Sequence, residues 1–343
     1  KMLVGAAVAF AAIIALGVGL MSGDNDAARA DAQGHRLIPP GGPINRCVNM
    51  GNALEAFYEG EWGYSIRDAD LLRVADAGFD TVRIPVRWSA HASEIAPYAI
   101  DEAFLARVDH VVQTSMDAGL NVILDVHHYD EIMENPAAHT DRLYSIWGQL
   151  ADHYRDWPDS LIFEILNEPR DKLTNKEMVV INEQVMNIIR AESPSRWVIL
   201  SGDNWGSLYG LKKARLPSLP HTIWSFHYYE PYDFTHQGAP WAYQDMPTGV
   251  NWGAPKEMRQ SAEDMREAAE WGAKHNRPIF MGEFGAYQAS PPQDRLAWTA
   301  YMRRQAELNG ISWCHWDFAS AFPVYSVKDE IWLPGYKEAL LGQ

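Results

Sequence analysis

Eight short apolar runs alternate with amphipathic stretches across residues 44–343. This pattern predicts an α/β chain folded as a (β/α)8 TIM barrel, behind an N-terminal hydrophobic segment. Two further observations favour the closed barrel over an open, doubly wound sheet. Polar and aromatic residues recur where the runs end, and barrels of this kind build their sites at the C-terminal ends of the strands. No G-x-G-x-x-G or G-x-x-x-x-G-K-[ST] follows the first run, so a nucleotide site lacks its fingerprint.

The elements follow in chain order. Lys1 precedes an uncharged run, Met2–Met21, rich in Ala, Gly, Val and Ile. About 20 apolar residues suffice to cross a bilayer. The run also fits a signal peptide, with Ala28–Arg29–Ala30 as a small-residue cleavage pattern. Residues 1–23 are therefore expected to be a signal peptide or a membrane anchor. Either places the following domain outside the cytoplasm, secreted or periplasmic, or held at the membrane. A chain opening on Lys rather than Met is what a start further upstream would give. Residues 24–43 are rich in Ala, Asp, Gly and Pro without periodicity and read as a linker. Residues 44–343 then form one catalytic domain.

Strands are expected at Cys47–Met50, Thr81–Pro85, Asn121–Val126, Leu161–Leu166, Trp197–Ser201, Thr222–Phe226, Pro278–Gly282 and Ile311–His315. Their largely apolar character suits strands covered on both faces. Helices Ile66–Ala77 and Asp101–Ala118 each run into a glycine stop, Gly78 and Gly119. Longer helical patterns cover Lys176–Ala191, Lys256–His275 and Gln293–Leu308.

Charge narrows the function. The 343-residue chain has a formal net charge of −16, which argues against nucleic acid and against docking on anionic membranes. Its 14 Trp exceed what a core alone invites and suggest flat platforms for sugar rings. The two cysteines, Cys47 and Cys314, show no zinc or C-x-x-C spacing. They would approach one another in a closed barrel. The preferred expectation is two buried free thiols, with a disulfide as the alternative in an exported protein.

Ile165–Leu166–Asn167–Glu168–Pro169 places a carboxylate where a buried strand gives way to a loop, because Pro169 has no N–H to donate. Pro278–Ile279–Phe280–Met281–Gly282–Glu283 repeats that setting. Two such glutamates suggest the acid and the nucleophile of a glycosidase. Arg83, flanked by Val82 and Ile84, must be buried and needs carboxylate partners. Glu164 and the paired glutamates are its candidates, and a purely structural ion pair is the plainer reading. His127 and His128 end the third strand. Without a third ligand at diagnostic spacing they point to sugar hydroxyls rather than a metal. His227 and Tyr229, two apart, share a strand face, and the tyrosine would orient a carboxylate. Trp316 would form a floor under a sugar, whereas Trp313 belongs to the core. Trp62, Trp88, Trp205 and Trp252 divide between platform and packing. Glu55, Asp203 and Asn204 are lesser candidates for sugar contact.

Asn52–Ala53–Leu54–Glu55, Val82–Arg83–Ile84–Pro85, His127–His128–Tyr129, Asn167–Glu168–Pro169, His227–Tyr228–Tyr229, Gly282–Glu283–Phe284–Gly285 and Trp316 stand in order at the strand ends. Together they resemble glycoside hydrolase family 5, the cellulase-type retaining barrel glycosidases, from about Asn45 to the end. The resemblance implies Glu168 as acid/base and Glu283 as nucleophile. It places Asn167 at the 2-hydroxyl of the reacting sugar, with Arg83, His127, His227 and Tyr229 around that sugar and Trp316 beneath it. Phe234–Thr235–His236–Gln237–Gly238–Ala239–Pro240–Trp241 resembles a loop of endo-β-1,4-glucanases, which makes Trp241 an aromatic on the leaving-group side. The implied substrate is β-1,4-glucan, with β-mannan or another β-glycan as the alternative and non-catalytic carbohydrate binding as a remote one. No cofactor or metal is implied, nor any nucleic-acid partner, and a monomer is expected. The chemistry asks for a Glu168 pKa raised mainly by the nearby Glu283 charge, with Glu283 ionised.

Overall fold

Side chains that point into the barrel change from apolar to polar along the strands, and that gradient fixes where the site lies. The computed structural model describes residues 42–215 and 220–342. The signal or anchor expected at 1–23, and most of the linker expected at 24–43, lie outside the described residues. Among those described, no helix is long and apolar enough to cross a membrane.

The strands are β1 (Arg46–Asn49), β2 (Thr81–Ile84), β3 (Asn121–Asp125), β4 (Leu161–Glu164), β5 (Val198–Ser201), β6 (Thr222–His227), β7 (Ile279–Phe284) and β8 (Ser312–His315). They pair in parallel and in sequence order, and β8 returns to β1, so the sheet closes into a barrel. Each falls on an expected run, with ends differing by a residue or two. All five expected helices form. An 18-residue helix, Pro136–His153, was not anticipated. Its opening turns, Pro-Ala-Ala-His-Thr-Asp, are mostly polar or small and hide the buried stripe Leu143, Ile146, Trp147 and Leu150, which has i, i+3, i+4, i+7 spacing.

Cys47, Ile123, Ile162, Ile199, Ile223, Phe280 and Cys314 form a cluster separate from the main core. One from each of seven strands, they fill the lower barrel interior. Period-2 alternation puts the residue two further on at the same face, and there stand Asn49, Asp125, Glu164, Ser201, Ser225, Gly282 and Trp316. Arg83 takes the corresponding place on β2, two after Thr81. The intervening positions, such as Val48, Val82 and Leu124, belong to the larger cluster shared with the helices.

Cys47 and Cys314 lie opposite one another where β1 meets β8, and they form a disulfide across 267 positions of sequence. This corrects the expectation of free thiols: parallel register at the closing seam brings the two Cα atoms to 4.1 Å. Alkylation of the unfolded, unreduced chain is expected to label neither cysteine, and to label both after reduction. Replacing both by alanine should lower the unfolding free energy by about 2–5 kcal/mol, read by urea denaturation. Two labelled thiols before reduction would restore the free-thiol reading.

Candidate active site

Arg83 lies at the centre of the mouth, fully buried. Its Nε and Nη2 donate to the two Glu164 oxygens at 2.7 and 3.0 Å. Nη1 donates to Asn49 Oδ1 at 2.9 Å and to Glu283 Oε1 at 2.8 Å. Nη2 also meets Asn167 Oδ1 at 2.8 Å and Asp125 Oδ2 at 2.7 Å. Burial works against the charged guanidinium, but Glu164, Asp125 and Glu283 outweigh it and hold Arg83 protonated. The partner expected at Glu164 is present. Asn49 and Asp125 were missed as partners, although each stands two positions beyond an inward apolar residue.

Glu283 reaches Arg83 through an irregularity. Alternation from Phe280 puts Gly282 inward and Glu283 outward. Register shifts occur on both sides of β7 near its end, and such a bulge re-aims a side chain. Gly282 is what makes room: a Cβ there would lie 2.6 Å from Ser225 Oγ and 3.2 Å from His227 Nε2. Glu168 is positioned differently. Its φ of 45° is in the left-handed region that is uncommon for non-glycine residues, and it follows Asn167 in the loop beyond the end of β4.

The two carboxyls face one another. One oxygen of each, with a His227 ring nitrogen, lies within 4.8 Å of the others. His227 Nδ1 is 2.8 Å from Glu168 Oε1 and 3.5 Å from Glu283 Oε2. Tyr229 Oη donates to Glu283 Oε2 at 2.8 Å. Burial raises Glu168 from the usual 4.5 to about 7, against the pull of Arg170 and Arg83. Burial, rather than the Glu283 charge, is thus the leading cause, which corrects the expectation. Glu283 is also pushed up by burial to about 7, opposed by His227, Arg83 and the Tyr229 hydroxyl. The pair therefore shares a proton near neutrality. Arg83 and Tyr229 both donate to Glu283, which favours the arrangement with the charge on Glu283 and the proton on Glu168. Burial also pushes His227 below its usual value of 6.5, against the pull of Glu283.

His127 is locked by Asp125, whose Oδ2 is 2.7 Å from its Nδ1. Its ring lies parallel to Trp316 at 5.8 Å, and His128 stands edge-on between His127 and Trp62. The Trp316 indole lies over Gly51, where a Cβ would come within 2.9 Å of it. Arg83, Asn167, Glu168, His227, Tyr229 and Glu283 thus form one hydrogen-bonded unit, with His127, His128 and Trp316 as its wall. Trp241 stands further out. It is half exposed and packs on Tyr287 and Phe322, the latter 6.0 Å from Tyr229.

The remaining candidates divide between interior and surface. Glu55 is fully buried and turns back onto its own loop, accepting from the backbone N–H of Asn52 and of Ala53. Trp88 is core and donates to Asp125 O at 2.9 Å. Trp252 packs against Tyr301. Asp203 binds Asn175 with both oxygens. Trp62 and Trp205 are exposed.

Among the described residues, Glu168, His227 and Glu283 are the one group close enough to share a metal ion. The Arg83 guanidinium, 2.8 Å from Glu283, opposes a cation there by direct repulsion.

Comparison with known proteins bears on this geometry. The model of the family described as cellulase (glycosyl hydrolase family 5) matches residues 48–321. Endoglucanase H of Acetivibrio thermocellus is 35% identical over 270 residues, which is 79% of this chain and 29% of that protein. The chain spans about a third of Cellulase/esterase CelE of the same organism. A solved hyperthermophilic endo-β-1,4-glucanase in complex with substrate is 42% identical with TM-score 0.86, covering 88% of this chain and 97% of its own. Structures of Thermotoga maritima Cel5A with cellobiose and with mannotriose are each 38% identical with TM-score 0.85, covering 87% and 97%.

Replacing Arg83 with alanine would leave three buried carboxylates without their counter-charge. The expected loss of unfolding free energy at pH 7 is about 3–5 kcal/mol by urea denaturation. It should be smaller at pH 5, where the orphaned carboxyls take up protons. A loss under about 1 kcal/mol at pH 7 would contradict a central role for the guanidinium.

Proposed function

The chain belongs to the cellulases of glycosyl hydrolase family 5, and from that premise we propose that it is a retaining endo-β-1,4-glucanase acting by double displacement. The observation that carries the mechanism is the closeness of Glu168 and Glu283, with facing atoms within 4.8 Å. Retaining enzymes need carboxyls about 5–5.5 Å apart, whereas inverting ones need room for a water between them. In the first step Glu283, held by Arg83 and Tyr229, attacks the anomeric carbon. Protonated Glu168 gives its proton to the leaving glycosidic oxygen. A glycosyl-enzyme ester forms and the shortened chain departs. In the second step ionised Glu168 takes a proton from water, which displaces Glu283 with overall retention. Asn167 Oδ1 is engaged by Arg83, so its amide N–H groups are left to meet the 2-hydroxyl. His127 and His128 would bind further hydroxyls, and Trp316 and Trp241 would carry sugar faces. No metal or cofactor has a task in this sequence.

Endo action on β-glucan is supported by what the relatives' names state and by exposed aromatics on several loops of the mouth. β-Mannan is the second reading, because the Thermotoga maritima relative has been solved with mannotriose as well as cellobiose. Product profiles on carboxymethylcellulose, lichenan and mannan separate these readings. For residues 1–23 we propose export, with the enzyme secreted, periplasmic or anchored as a monomer outside the cytoplasm. Recovery of activity only from the cytosolic fraction would overturn that placement.

Glu283→Ala is expected to reduce turnover to background. Glu168→Ala is expected to lose about 10²–10⁴-fold on polymer while sparing substrates with activated leaving groups. Glu168 must carry its proton in the first step and burial raises it to about 7. Activity should therefore fall as pH rises through about 7, and a fall centred near 4.5 would contradict the assignment. Products formed first as the α-anomer would indicate inversion instead.

A further inference from the structure

Half of the barrel mouth is rimmed by a chain of contacts outside the reacting pair, touching it where Arg170 Nη1 donates to Glu168 O at 3.4 Å. The loop after β1 supplies Phe57, that after β2 supplies Arg87, that after β3 Asp130, that after β4 Arg170 and that after β5 Trp205. Arg87 Cζ lies 4.0 Å from the centre of the Phe57 ring, and Arg170 Cζ lies 4.1 Å from that of Trp205. Asp130 joins the two halves, with one arginine on each oxygen. Oδ2 accepts from Arg87 Nη2 at 3.2 Å, and Oδ1 accepts from Arg170 Nη2. Among the described residues no other carboxylate pairs with Arg87, and Arg170 has only its neighbour Asp171 besides, at 3.6 Å.

Exposure shows which end of this chain meets a ligand. The two arginine side chains are 9% and 12% exposed, whereas Phe57 and Trp205 are 57% and 54% exposed. Each ring has a clamped guanidinium against it, which leaves the remaining apolar face to solvent in a fixed orientation. Cation–π contact of this kind holds a ring without covering it. Trp205 is further tied down by its backbone N–H, which donates to Pro169 O at 3.1 Å. β1 and β5 are half a turn apart in an eight-stranded closed barrel, so the two rings are carried by loops that follow opposite strands.

We propose that Asp130 is a positioning residue for glycan binding: through Arg87 and Arg170 it fixes Phe57 and Trp205 as two platforms on the rim of the mouth, setting the register of a β-glycan long enough to reach both. The inference rests on the proposed glycanase activity. It does not require Asp130 to touch the sugar. Neutralising a carboxylate shared between two cations removes its charge attraction to both, so one change weakens the hold on both rings.

The test is kinetic, on cellotriose through cellohexaose. Asp130→Asn is expected to raise KM for cellohexaose about tenfold with kcat within about twofold, and to change cellotriose less than about threefold. Asp130→Glu should recover most of the loss. In a double-mutant cycle, adding Asp130→Asn to Trp205→Ala should cost less than about threefold more. Arg87→Met, which cuts only the Phe57 arm, should show the same dependence on chain length, and it serves if Asp130→Asn does not fold. A KM change independent of chain length, or full additivity with Trp205→Ala, would overturn the positioning role while leaving the activity intact. A wild-type enzyme that releases nothing from cellohexaose would overturn the activity itself and this inference with it.

Discussion

One buried guanidinium serves three carboxylates at the barrel mouth, and much else in the structure answers to that shortage of positive charge. Arg83 meets Glu164, Asp125 and Glu283, with Asn49 and Asn167 taking its remaining donor directions. A single cation cannot neutralise three anions away from water, so part of the negative charge must be relieved by protons. Asp125 is raised to about 6 and Glu168 and Glu283 to about 7, burial being the first cause each time. The same imbalance that makes the site costly to bury makes it able to hold and hand over a proton near neutral pH.

Two local departures from regular geometry bring two glutamates of this charge arrangement face to face. On β7 a register shift turns Glu283 inward, and Gly282 keeps the space clear. Beyond β4 a positive φ turns Glu168 across the opening. The rigid barrel wall over-determines both, which is how sparsely populated backbone conformations persist. His127 gains its orientation from the same network through Asp125. His127 is therefore linked to the guanidinium by two contacts, through Asp125.

Around this core the loops carry the aromatic surface. The strands hold the charged centre, and the loops hold the exposed rings around it. The contacts from Phe57 through Asp130 to Trp205 show that these loops are themselves tied together across consecutive strands. The rim and the charged centre are thus held by two arginine-based networks, which meet where Arg170 Nη1 donates to Glu168 O at 3.4 Å.

The sequence by itself determined the barrel and the strand ends, and it singled out the two glutamates proposed to react. Apolar runs bounded by Pro and Gly have few other places to go, and a carboxylate at the mouth of a buried strand has few bland explanations. Arg83 was legible for the same reason, as a charge in an apolar run. The helix Pro136–His153 was not, because its apolar stripe begins only after two polar turns. Tertiary structure alone decided the rest. The Cys47–Cys314 bond depends on β8 closing on β1 in one register. Glu55 and Trp88 moved from cleft to interior because a residue beyond a strand end can face either way. Asn49, Asp125 and Asp130 acquired their roles only when separate strand ends met. A one-dimensional pattern reports which face a residue occupies, but not which charges gather where eight strands converge.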